Sequence, residues 1–454
     1  MGRKVVTNSR TQHTLTLSTI LNKTLRQINN QMQKGKELIE KKVFETPFID
    51  THEHLIDESE RLNCVEPIIP CDDWALLLNH YFGFDLISAG ISKDKFDKLF
   101  SKQLNPIEKW HILNEYWTYL KNTTSGMVFR NTIKTLYDVD EISEDIITEL
   151  QHRYEQTRKK GFYRHIIQDI ANIKYCHVHS PISAFKKSES PDLLFQDIAL
   201  NGLIQVAVKT YSVPENVKIN SLSDWHSLID WWFSEGNQIA KGVKIGNAYF
   251  RRLDFKRIEA REVESIFVRK ISLQMISPDE EKKLQDHLFW YCVDKATQYR
   301  LPVKIHTGQW AMNNVMNMHW VKDNPSDCAS LCRQAPNTKF VFFHLCYPHY
   351  EEMLSLAKSY SNAYIDMCWS WSLNHLAAKD FLKKFILTVP NNKIFTFGGD
   401  DKIVENVIGH AFVARKGIAQ ALTELVTENW ITISDALDLV DNLMYKNAER
   451  IFEK

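Results

Sequence analysis

Hydrophobic positions along the chain fall into short, continuous runs separated by longer stretches of helical spacing. The runs are Pro47–Asp50, Ile173–His179, Leu203–Val208, Gly242–Ile245, Pro302–His306, Phe340–His344, Ala363–Met367 and Lys393–Phe397. They are rich in β-branched and aromatic residues and do not alternate, which suits strands covered on both faces. Most of the intervals are long enough to return by a helix, as parallel neighbours require. Eight such units are the number that closes a (β/α)8 barrel, and a barrel of the TIM type is the predicted fold.

Two intervals exceed a single crossover. Residues 55–172 follow the first run, and the segments DDWALLLNHYF, PIEKWHILNEYWTYLK, VFRNTIKTLYD and SEDIITELQHRYEQTRKKG within them space apolar residues by three and four. This stretch is predicted to be a helical insertion capping one barrel mouth. A shorter excess runs from Phe250 to about Lys282. Residues 1–43 are predicted to be an N-terminal helical extension and 44–454 the barrel with its insertion.

Composition narrows the class without changing the fold. The chain has 454 residues, 44% hydrophobic and 25% charged, which is ordinary for a globular protein. Lys+Arg and Asp+Glu both number 56, so no nucleic-acid or anionic-membrane partner is expected. Eight cysteines with no CxxC pair do not make a disulfide scaffold, and Cys328 and Cys332 are read as reduced packing residues. The basic N-terminal segment has no apolar core of signal-peptide length, and no window reaches the ~18 apolar residues of a membrane span. A cytoplasmic protein acting on a small molecule is expected, with homo-oligomerisation left open.

The chemistry collects at run ends. FIDTHEH places His52 and His54 two apart, on one face of a strand, where they can share a metal ion. VKIHTGQW ends the fifth run on His306, FVFFHLCYP the sixth on His344, and IFTFGGDD the eighth on Asp400. In a parallel barrel these ends meet at one mouth. A second HxH pair, His177 and His179, follows the second run; His179 is read as a substrate contact or a rim residue. Arg251 and Arg252 either clamp a substrate carboxylate or form a solvated charge pair. Trp310, Trp369 and Trp371 either line a pocket or pack beneath the cap. Asp401 competes with Asp400 by a one-residue slip.

These motifs resemble the amidohydrolase superfamily of metal-dependent barrel enzymes: HxH after strand one, His after strands five and six, and Asp after strand eight. The resemblance runs from about Phe44 to the end and looks closest to the amidohydrolase-related hydrolases and decarboxylases. The insertion after strand one is shared with the more distant uronate isomerases. It implies metal ligation by His52, His54, His306 and Asp400, with His344 either a ligand of a second metal or a group polarising a substrate carbonyl. Lys244, in GVKIG at the end of strand four, is either carboxylated to bridge two metals or cationic and facing a substrate carboxylate. Neutral imidazoles with a carboxylate suit one or two divalent ions, Zn²⁺ first and Mn²⁺ or Fe²⁺ as alternatives. Such an ion lowers the pKa of a bound water from about 15.7 towards ~7, and Asp400 beside it is placed to accept the proton. The expected activity is hydrolysis of an amide, lactone or related bond. The alternatives are isomerisation of a sugar acid, or a silent binding barrel, which a missing ligand would favour and none is missing.

Overall fold

The structure, a computed structural model, describes residues 32–65, 69–179, 184–207 and 217–453. Most of the predicted N-terminal extension, residues 1–31, lies outside them; residues 32–45 form a helix leading into the barrel.

Among the described residues, eight parallel strands form the barrel. They are β1 (Phe48–Glu53), β2 (Ile173–Val178), β3 (Leu194–Gln196, continued after Asp197 by Ile198–Ala199), β4 (Val243–Ile245), β5 (Val303–His306), β6 (Phe340–Phe343), β7 (Ala363–Asp366) and β8 (Ile394–Phe395). Each pairs in parallel with its sequence neighbour, for example Lys244 opposite Lys304 and Ile305 opposite Phe342. The ring closes between the continuation of β8 and β1, where Thr51 N donates to Phe397 O at 3.1 Å and Asp400 N to His52 O at 3.0 Å. Gly399 lies tight against this seam: a Cβ there would lie 2.1 Å from Glu53 Oε1, and that buried side chain would have to shift.

Seven predicted runs became strands. The third did not: LIQVA lies in and just beyond the helix Asn201–Gln205, and Val208 is outside the described residues. The third strand is LFQDIA instead, broken by an acid that no apolar criterion would admit. The reason lies inside the barrel. Lys304 Nζ, fully buried, donates to Asp197 Oδ2 at 2.7 Å, His177 Nδ1 at 2.7 Å and Thr51 O at 3.0 Å. A buried ammonium must be paired, and Asp197 does it.

Between β1 and β2 the chain builds the predicted helices, chiefly Tyr81–Ser88, Pro106–Leu120, Thr124–Tyr137 and Glu144–Thr157. Local sequence starts them cleanly: Asn105 Oδ1 accepts from Ile107 N and Glu108 N at 3.0 Å, Pro106 opens the helix, and Glu108 returns the contact to Asn105 N at 2.8 Å. The cap has its own core around Trp74, Leu86, Leu113, Trp117, Phe129 and Tyr154. It docks on the long helix Asn406–Thr427 that follows β8. Gly409 permits the contact, since a Cβ there would sit 2.2 Å from the Val128 carbonyl oxygen. No helix among the described residues is long and apolar enough to cross a membrane.

Candidate active site

Three strand ends turn through left-handed backbone at non-glycine residues: His344 (φ 65°) after β6, Trp369 (φ 61°) after β7 and Asp400 (φ 59°) after β8. Each such residue costs roughly 1–3 kcal/mol, and such residues cluster where a side chain must be aimed. Here they line one mouth of the barrel.

Asp400 is the centre. His52 Nε2 and His54 Nε2 each lie 3.2 Å from its Oδ1. On the other oxygen, the Tyr81 hydroxyl donates to Oδ2 at 2.5 Å and His344 Nε2 stands 3.8 Å away. Burial alone would raise the Asp400 carboxyl, but the imidazoles of His52 and His54 outweigh it and hold the group well below the usual carboxylate range. Burial keeps the rings neutral: His52, His179 and His306 are held well below the ordinary histidine value, and His344 and His80 fall to about 4.

Among the described residues, neither ring nitrogen of fully buried His52 has a partner at hydrogen-bond geometry, and the same holds for Nε2 of His344. Unpartnered buried nitrogens are costly, so this donor set fits a cation better than it fits itself. His52, His54 and Asp400 bring three ligand atoms within 4.8 Å of one another. His306 is close but turned: its Nε2–H donates to Gln309 O at 2.9 Å, leaving Nδ1 as the nitrogen free for a ligand, while its ring lies 4.4 Å from that of His344. Asp401 is not the aimed carboxylate. It accepts from His410 at 3.1 Å and from the Ile403 backbone at 3.0 Å, behind the mouth.

A cavity of about 300 Å³ opens onto these groups, lined among others by His54, His80, His179, Lys244, Tyr249 and Lys402. His179 therefore reaches the mouth, whereas His177 sits one layer deeper with Lys304. Lys244 lies with its Nζ 3.9 Å over the Phe343 ring, and burial lowers its pKa to about 8. Trp310 borders a second, wider cavity of about 760 Å³ beside the first. Trp369 stacks on Tyr81 at 4.5 Å, and Trp371 is a packing residue whose indole donates to Thr396 O at 2.7 Å.

Arg251 and Arg252 are elsewhere. Arg251 is held by Asp286 at 2.5 Å and stacked on Phe255, and Arg252 bridges Asp323 and Asp327 at 2.8 and 3.0 Å. Neither lines either cavity, so of the two readings open for them the clamp is not assembled; Lys244 and Lys402 are the cationic side chains on the inner cavity's wall.

Sequence reasoning did not single out His80, Tyr81, Tyr249 or Lys402. His80 and Tyr81 come from the cap, where the spacing of NHYF reads as helix packing. Lys402 follows the GGDD turn and was within reach, since a charge two residues past a ligand shares its mouth.

The fold is a parallel barrel of the amidohydrolase type. The sequence profile of the amidohydrolase family matches residues 228–454, half of the chain, and the chain belongs to that family. Protein fluG of Emericella nidulans is 26% identical over 223 residues, 47% of this chain and 25% of fluG, so the chain spans about a quarter of that relative. Among solved structures, uronate isomerase from Thermotoga maritima superposes with a TM-score of 0.75 at 11% identity, covering 92% of this chain and 97% of its own. Glucuronate isomerase from Caulobacter crescentus gives 0.74 at 14% identity, covering 93% and 94%. A Lactobacillus casei protein assigned as a metal-dependent hydrolase gives 0.63 at 13%, covering 91% and 97%. At these identities the likeness is one of fold.

Proposed function

We propose that the protein is a metal-dependent hydrolase of a small polar molecule carrying a negative charge, cleaving an amide, lactone or related bond. The observation that carries this reading is the convergence of His52 Nε2 and His54 Nε2, each 3.2 Å from one oxygen of an ionised, buried Asp400. His52, His54, Asp400 and, through Nδ1, His306 would hold a divalent ion, Zn²⁺ by donor type, with Mn²⁺ or Fe²⁺ as alternatives. When bound, that ion supplies Lewis acidity for activating water and polarising a carbonyl.

The chain's own groups do the rest. Asp400 takes a proton from the attacking water and returns it to the leaving group, and the Tyr81 hydroxyl fixes its orientation. Lys244 and Lys402 meet the substrate's negative group. His80 and His179 close the walls, and a cavity of about 300 Å³ suits a metabolite-sized molecule. All eight cysteines are free, which suits the reducing cytoplasm.

A second reading, isomerisation of a sugar acid, is favoured by the nearly full-length overlay on two uronate isomerases, which at 92% and 93% of this chain takes in cap as well as barrel. Product mass separates the two. On whichever member of a panel of lactones, amides and uronates is turned over, hydrolysis in ¹⁸O-water adds the elements of one labelled water across the products. A single product with the mass of the substrate contradicts the hydrolase reading and supports the isomerase.

A further inference from the structure

We propose that Cys368, at the end of β7, joins His344 and the second oxygen of Asp400 to form a thiolate-containing divalent-metal site beside the one built on His52 and His54. It rests on the reading of Asp400 as a metal ligand and adds a ligand of a different chemical kind.

The geometry around Asp400 is two-sided. His52 and His54 converge on Oδ1, whereas His344 faces Oδ2. Cys368, His344 and Asp400 are all buried, and one ligand atom from each lies within 4.8 Å of the other two. The tautomer of His344 is set by its neighbour: its Nδ1–H donates to the Cys368 carbonyl oxygen at 2.9 Å, so Nε2 carries the lone pair. A backbone carbonyl on the far nitrogen is the usual orienting contact of a metal-bound imidazole. That nitrogen has no hydrogen-bond partner among the described residues and lies 3.8 Å from a carboxylate oxygen. Two acceptors facing each other in a buried site call for a cation between them. Tyr81 takes one lone pair of Oδ2 and leaves the other.

The thiol is idle in the present arrangement, with a single long contact of 3.8 Å from Sγ to the His52 carbonyl oxygen. Burial, with Asp400 and Asp366 nearby, favours the protonated thiol, so binding exchanges one proton for the metal: the S–H bond breaks, the S–metal bond forms, and H⁺ leaves to solvent. A sulfur, nitrogen and oxygen donor set selects Zn²⁺ or Co²⁺ over Mg²⁺ or Ca²⁺. The Lys244 ammonium opposes a cation at either site, since it bears on His52 and His306 as well as on His344.

Cobalt reads the sulfur directly. Full-length protein freed of metal by a chelator and titrated with Co²⁺ should bind two ions per chain. The ion at the Cys368 site should bring an intense near-ultraviolet thiolate-to-cobalt absorption above the weak visible bands of the other. Cys368→Ser should abolish that absorption and bind one cobalt, with circular dichroism unchanged. Should the serine variant fail to fold, His344→Gln should lose the same ion and the same band. Cobalt bound with no thiolate absorption overturns the proposal while leaving the His52–His54 site standing, and so does a band that survives Cys368→Ser in folded protein. Binding of no cobalt at all defeats both readings.

Discussion

Replacing Asp400 with Asn should lower turnover by roughly 10²–10⁴-fold or more while the protein stays folded and still takes up substrate. The carboxylate is held ionised against its own burial by His52 and His54 on one oxygen, and the Tyr81 hydroxyl donates to the other. An amide keeps the shape but cannot take a proton, and it offers one acceptor oxygen where the site uses two. Asp401→Asn is the control for register. Asp401 is engaged by His410, Asn406 and two backbone amides behind the mouth, so that variant should lose stability more than rate. Steady-state kinetics with each variant's unfolding midpoint checks both. A fast Asp400→Asn beside an inactive Asp401→Asn would transfer the role to the second acid.

The second large effect concerns the joint between cap and barrel. Arg61, just after β1, is fully buried and donates to Glu405 Oε1 at 2.8 Å and to the Tyr154 hydroxyl at 2.8 Å. Burial opposes its charge, but Glu405 and Tyr154 outweigh it and the guanidinium stays protonated. Arg61→Ala would strand the Glu405 carboxylate, itself fully buried at the start of the helix Asn406–Thr427, and should cost about 3–5 kcal/mol. Because Tyr154 belongs to the cap and Glu405 to the barrel, the loss should also loosen the cap over His80 and Tyr81. Denaturant unfolding measures the first effect and substrate affinity the second. The double change Arg61→Met, Glu405→Gln should recover most of the stability, since no charge is then left alone. A cost below about 1 kcal/mol for Arg61→Ala would mean that water reaches the pair.

The strand ends that meet at the mouth were legible because a parallel barrel turns linear order into spatial convergence. An apolar run ending on His or Asp needs no knowledge of its neighbours to be placed at the mouth, and His52, His54, His344 and Asp400 were found that way. What could not be read depends on contacts between distant segments. LFQDIA is a strand because Asp197 answers Lys304, more than a hundred residues later, and neither residue looks like barrel interior alone. Arg251 and Arg252 follow β4 in sequence, yet Asp286 and Asp327, carried by later helices, draw them off the mouth. His80 and Tyr81 were hidden for the opposite reason, since an apolar helical pattern conceals the two members that turn inward. Cys368 lies one residue past the end of the seventh run, among packing residues, and only the position of His344 gives it a partner.

The proposed activity depends on a divalent ion held at this mouth. Elemental analysis of the full-length protein, purified without chelators, tests it most directly, set beside the variant carrying His52→Ala and His54→Ala. Loss of both imidazoles would leave Asp400 alone of the three donors that converge there and remove most of the binding energy. The wild type should carry one or two divalent transition ions per chain, and the double variant should lose the ion held by His52 and His54 while keeping its circular dichroism. A wild-type protein with no such ion, or a folded double variant that retains the full complement, would mean that His52, His54 and Asp400 do not hold a metal.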